Sequence, residues 1–170
     1  MENKPQVLLI MGSESDLSVM EEATKVLNGF GVTYEMRISS AHRSPQRTAE
    51  LAAGAAERGI RVIIAGAGLA AHLAGVIAAE TTLPVIAVPM PGGPLNGVDA
   101  LYSMFQMPGG IPVATMAIGK AGAKNAGLLA VQILALSNDS LVKALLDYKA
   151  NMAREVEEKD SALQGSLRKS

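Results

Sequence analysis

A chain of 170 residues with 15 Lys and Arg against 16 Asp and Glu, a formal charge of −1, has the length of one domain and lacks the basic excess that gripping a nucleic-acid backbone requires. Its 49% hydrophobic content comes mainly from Ala, Val, Leu, Ile and Met, with three Tyr, two Phe and no Trp, which excludes an aromatic platform for bases and makes the elements pack through small side chains. Without Cys there is no disulfide framework, thiolate nucleophile or sulfur metal site; no apolar run reaches the ~20 residues of a membrane span, and "MENKPQVLLIMGSESD" lacks a signal peptide's basic start, so a cytoplasmic protein with no membrane or nucleic-acid partner is expected.

In chain order, "VLLIM" (7–11) is apolar on both faces and reads as a buried parallel strand. Ser18 with Glu21 three residues later matches a capping box for a helix that stops at "NGFG", where Gly29 or Gly31 can end it. "TYEMRI" (33–38) is the second strand. Ser44 as N-cap and Pro45 at the first helical position then start a helix running to Gly59. "RVIIA" (61–65) is the third strand, followed by a helix between Gly68 and Pro84, and "PVIAV" (84–88) is the fourth. Residues 88–113 hold more Gly and Pro than a crossover needs and read as a long loop around a short helix at "GVDALYSMF", a loop size that usually marks function. "PVATMAI" (112–118) is the fifth strand and 123–136 the next helix. After Asn138 a last helix carries Leu141, Leu145, Tyr148, Met152 and Val156 at steps of four, three, four and four, a stripe that needs a partner surface; past Asp160 the chain is expected to fray. The alternation predicts right-handed crossovers and a three-layer α/β sandwich in one domain, with its core over about 7–136 and its C-terminal helix over about 139–160.

Ligands of open α/β sheets sit outside the carboxyl ends of the strands, where strand order reverses. With a flavodoxin-like order of 2-1-3-4-5, "MGSESD", "SSAHRS" and "GAGLAAH" converge there. Ser13, Ser15 and Asp16 stand near a helix N-terminus, which either favours an anion such as phosphate or simply uses these residues as caps. Arg43 adds a fixed-charge fork suited to phosphate. Gly66, Gly68 and Ala71 match the G-x-G-x-x-A dinucleotide fingerprint, but no acid follows about twenty residues on, in "PVIAVPM"; the same glycines would let a flat ring approach bare backbone. "AIGKAGAK" fails as a phosphate-binding P-loop because Ala114 stands where its first glycine belongs and Ala121 replaces the hydroxyl. Both histidines of the chain fall in this region, His42 just before the second helix and His72 in the first turn of the third. Each could serve as a structural hydrogen-bonding group, but histidine can also give and take a proton near neutral pH, and two at neighbouring strand ends favour that role. Two histidines without a nearby carboxylate pair do not suggest a metal site.

The motifs "MGSESD", "SSAHRSP", "IIAGAGLAAHLAG", "LPVIAVP", "LNGVDALYS", "QMPGGIPVATMAIGKAGAKNA" and "LLAVQIL" together resemble the class I N5-carboxyaminoimidazole ribonucleotide mutases of bacterial de novo purine synthesis, in order from about residue 7 to 136. The resemblance implies a flavodoxin-like three-layer fold with a parallel sheet of about five strands, assembled as a homo-octamer. It implies an isomerase that moves a carboxylate from the exocyclic nitrogen to C4 of the imidazole, with no metal or organic cofactor, and functional coupling to the ATP-dependent synthase that makes the substrate. Carried onto this chain, Ser13 and Arg43 would bind phosphate and Asp16 the ribose hydroxyls. Ser40, Ala67 and Gly68 would line the ligand, Ser15 would lie near the moving carboxylate, His42 would be the acid–base residue and His72 a supporting one. Ala74 stands where the family usually has Pro, and "PGGP" (91–94) replaces a more polar stretch. Two other readings remain: a class II aminoimidazole ribonucleotide carboxylase that takes CO2 directly, and a flavodoxin-like module that binds a nucleotide without turning it over.

Overall fold

In the computed structural model, which describes residues 4–167, five strands form one parallel sheet: β1 (Val7–Met11), β2 (Tyr34–Ile38), β3 (Val62–Ala67), β4 (Val85–Pro89) and β5 (Ala114–Thr115). Their order is β2-β1-β3-β4-β5, so the chain leaves β1 toward one edge and returns past it to β3. Val7 is in register with both Tyr34 and Val62, and Gly66 with Val88. β1, β3 and β4 are buried along their whole length because helices cover both faces, which is why these runs are apolar rather than alternating. The edge strand β2 is only half-buried and carries charge: Glu35 accepts from Arg37 at 2.6 Å, with Arg58 at 3.5 Å, a polar edge that discourages pairing with another chain.

On one face, Leu8, Ile10, Ile63, Ala65 and Ala87 pack with Ala52 of α2 (Pro45–Ala53), Ala74 and Ile77 of α3 (Leu73–Glu80) and Ala100 and Met104 of α4 (Val98–Phe105). On the other, α1 (Leu17–Gly29) meets α5 (Lys120–Ala135) so closely that a β-carbon on Gly127 would lie 2.9 Å from the Ala23 carbonyl oxygen. The Ala- and Gly-rich composition is thus the condition for this helix spacing. Residues as far as Ile133 form one compact unit and those from Leu134 onward a second, which consists of the end of α5 and the helix α6 (Asp139–Leu167).

Several boundaries differ from those read in the sequence. α1 already begins at Leu17, which places Ser18 inside it; the capping box lies instead on the short 3-10 turn Glu14–Asp16, with the Ser13 amide donating to Asp16 Oδ2 at 3.2 Å. α2 stops at Ala53, and a 3-10 turn at Ala56–Arg58 separates it from Gly59, whose φ of +96° ends the segment. β5 has two residues rather than seven, because only Ala114 and Thr115 pair in register with β4, although the Met116 and Gly119 amides still donate to the Ala87 and Pro89 carbonyls. α6 does not fray at Asp160: the helix formers Ala162, Leu163 and Gln164 carry it to Leu167. Of its stripe, Leu141 is buried, Leu145 and Tyr148 are half-buried, and Met152 and Val156 are exposed, as are Leu163 and Leu167 further on. No helix among the described residues is long and apolar enough to cross a membrane.

Candidate active site

β2 and β3 flank β1, so the loops that follow these three strands meet above its C-terminal end. They enclose a cleft of about 630 Å³. Ser13, Ser15, Asp16, Ser40, His42, Arg43, Ala67, Gly68 and His72 all line it, so these nine residues reach the same cavity. His72 is the residue just before α3 rather than part of its first turn.

The β1 loop is ordered by its own side chains. The Ser15 hydroxyl donates to Ser13 Oγ at 3.0 Å and has Asp16 Oδ1 at 3.3 Å, while Asp16 Oδ2 accepts the Ser13 amide. Burial pushes the Asp16 carboxyl above its ordinary value, and the bonds from Ser15 and Ser13 pull part of that back. A buried carboxylate held at a cleft wall is suited to accepting hydroxyl hydrogens from a ligand, as charge-assisted bonds are the strong ones.

The β2 loop stands on buried hydroxyls. Ser39 Oγ lies 2.8 Å from Thr48 Oγ1, and both residues are buried. Thr48 Oγ1 donates to the Ser44 carbonyl at 3.1 Å, and Ser44 Oγ accepts the Ser40 amide at 3.1 Å. Ser44 is the N-cap residue of α2, as its sequence position suggested, but its hydroxyl ties the loop instead of a helix amide. Arg43 crosses to the first loop, its Nη2 donating to the Gly12 carbonyl at 3.1 Å and its Nε to Ser40 Oγ at 3.4 Å. The guanidinium is therefore held between the first two loops, with further N–H groups left for an anion.

His42 Nε2 and His72 Nδ1 are 2.8 Å apart, with the rings nearly perpendicular at 80°. Such a contact needs one N–H donor and one bare nitrogen, so the tautomers of the two rings are tied together. Nothing in the sequence signalled the contact, because the two residues lie 30 positions apart.

Two further features of the cleft bear on the sequence reading. Met90 and Pro91–Gly93 complete the cleft wall from the β4–α4 loop, together with Leu69. Gly66 does not offer its backbone to a ligand: a β-carbon there would meet Met20 Sδ and Met90 Cε, each at 2.5 Å, so this glycine makes room for core methionines. The resemblance to a dinucleotide fingerprint is accidental at that position.

The AIR carboxylase family model matches residues 6–155. The N5-carboxyaminoimidazole ribonucleotide mutase of Thermotoga maritima is 54% identical over 160 residues, covering 94% of this chain and 92% of the relative. That of Pyrococcus horikoshii is 56% identical over 161 residues (95% and 90%), and that of Bacillus subtilis 52% over 160 residues (94% and 99%). Among solved structures, Treponema denticola PurE superposes with a TM-score of 0.83 at 32% identity, covering 94% of this chain and 98% of that one. With the β1, β2 and β3 loops gathered on one cleft and similarity extending over nearly the whole chain, this protein belongs to the AIR carboxylase family.

Proposed function

We propose that this chain interconverts N5-carboxyaminoimidazole ribonucleotide and 4-carboxy-5-aminoimidazole ribonucleotide in purine biosynthesis. The observation that carries the reading is the convergence of Ser13, Asp16 and Arg43 with the His42–His72 pair on one cleft, in a chain more than half identical to named mutases over nearly its full length. Arg43 and Ser13 hold the phosphate, Asp16 accepts the ribose hydroxyls, and Ser40, Ala67 and Gly68 pack along the ligand, with Ser15 near the carboxylate. His42 is the acid–base group. The carbamate C–N bond breaks with its electron pair staying on nitrogen, which takes a proton from His42. C4 then bonds the released CO2, and its proton returns to His42. A group that gives and takes in turn works best with a pKa near the working pH, which suits imidazole. His72 supports it by fixing the His42 tautomer through the 2.8 Å contact.

The reading includes a homo-octamer in the cytoplasm, in which the stripe Leu141, Leu145, Tyr148, Met152 and Val156 packs on a neighbouring subunit, and functional coupling to the ATP-dependent synthase upstream. The exposed Met152 and Val156 support the assembly, since burying a large apolar side chain is worth ~1.5–3 kcal/mol. Placing lysine at both positions should lower the mass seen by light scattering. The activity is tested by following the two carboxylated isomers by NMR in buffer free of ATP and metal. Interconversion is expected. Turnover only when aminoimidazole ribonucleotide and CO2 are supplied would make the chain a direct carboxylase, and saturable binding without turnover would make it a binding module.

A further inference from the structure

The loop after β3 contains a residue that is unfavourable on two counts. Leu69 has a φ of +56°, in the left-handed region where a β-carbon crowds the neighbouring backbone, and its side chain is 56% exposed. Glycine would relieve the first problem and a polar residue the second. The isobutyl group nevertheless has a seat. Its Cδ2 lies 2.5 Å from the position a β-carbon on Gly93 would occupy, so it rests on the bare α-carbon of that glycine. Gly93 has a φ of +64° and Gly92 one of +132°, so this part of the β4–α4 loop takes no side chain without strain. Leu69, Gly92 and Gly93 all line the cleft, so the contact joins two loops along its wall. Strain kept at the wall of a ligand cleft points to a task there.

We propose that Leu69 is a positioning residue that clasps the 91–94 loop against the cleft and keeps the carboxyl group from escaping while it is moved, an inference that rests on the mutase reading above. Between the breaking of the C–N bond and the formation of the C–C bond, the group exists as CO2. It then has no net charge for the polar groups of the cleft to hold, so closure of the cavity is what retains it and keeps water out. If it escapes, the atoms balance as CO2 plus the decarboxylated amine nucleotide, with the nitrogen keeping the proton it received.

Leu69→Gly and Leu69→Met separate the possibilities. Leu69→Gly relieves the backbone, so its melting temperature should be no lower than that of the parent chain. Hydrogen exchange of the amides over residues 92–96 should rise about tenfold, as expected when a local contact holding a loop is lost. In buffer containing 13C-bicarbonate, the carboxylated product should take up label several-fold above the parent's level, and the decarboxylated amine should accumulate. Leu69→Met, which keeps a flexible apolar chain, should restore both readouts toward the parent. Unchanged amide exchange in Leu69→Gly would overturn the clasp, and faster exchange with label uptake at the parent's level would overturn its role in retention. A parent chain that interconverts no isomers would instead remove the mutase reading, while the exchange measurement would still decide the clasp.

Discussion

The loop that carries His42 and the loop that carries His72 lie on either side of β1, and they are held by different means. Under the first, the buried Ser39 and Thr48 and the half-buried Ser44 join in a chain of hydroxyl contacts, and Arg43 ties the loop to Gly12. The second has no such hydroxyl chain among the described residues: there the His72 ring hydrogen-bonds only to His42, and the turn before it contains Leu69 at positive φ. A histidine on a satisfied buried network is held in place before a ligand arrives, whereas one on a strained exposed turn depends on its partner.

The largest effect should come from the rigid side. His42→Asn keeps a polar group in the cleft but cannot carry the proton, so turnover should fall by ~10²–10⁴-fold with nucleotide affinity near that of the parent, checked by steady-state rates beside calorimetric titration. Turnover within a few-fold of the parent would move the acid–base role to His72.

Next comes the β1 loop, which shares the self-supporting design. Asp16→Asn removes the charge from the ribose contact, and nucleotide affinity should drop by ~1.5–3 kcal/mol, the worth of hydrogen bonds to a charged group. Stability should behave in the opposite sense. The folded-state pKa of Asp16 is raised mainly by burial, so ionisation weakens the fold as pH rises through the raised value, and stability returns as pH falls from there toward the ordinary carboxylate range. Melting curves near neutral pH and at about pH 4 should therefore show the parent gaining on Asp16→Asn in the acidic sample. A variant that only lost stability, with unchanged affinity, would make Asp16 a helix-end acid.

Thr48→Val tests the hydroxyl chain itself. It leaves Ser39 without its 2.8 Å partner in a buried setting, and thermal or denaturant unfolding should show a loss of about 1–3 kcal/mol. His72→Asn should do least. With the partner loop intact, turnover should fall only a few-fold, below the ~10²-fold floor for a removed acid–base group. Its pH–rate profile should shift relative to the parent, because the tautomer of His42 is then no longer tied to a second imidazole. Equal losses in His42→Asn and His72→Asn would erase the contrast between the two loops.

Much of this was legible in the residues alone. Apolar runs such as "VLLIM" and "PVIAV" marked buried parallel strands, and Ser44-Pro45 marked the start of a helix, because burial on both faces and a fixed proline φ leave direct traces in local sequence. Seven of the cleft residues, Ser13, Ser15, Asp16, His42, Arg43, Gly68 and His72, were also legible, since strand-end loops of an open sheet have to carry the ligand contacts, whereas Ser40 and Ala67 came only from the family resemblance. Features that depend on what lies across space were not. Gly66 had the look of a glycine that lets a ligand's flat ring approach bare backbone until Met20 and Met90 were seen to fill the space beside it. Ser18 matched a capping box, but the helix had already begun one residue earlier. The His42–His72 bond and the seat of Leu69 on Gly93 join residues 30 and 24 positions apart, as numbered in the chain. Periodicity and capping act within a turn or two of the backbone, so sequence alone determined the elements, to within a few residues, and their succession along the chain. Which atoms touch once they meet depends on strand order, register and the volume of every neighbour, and that was decided only by the tertiary fold.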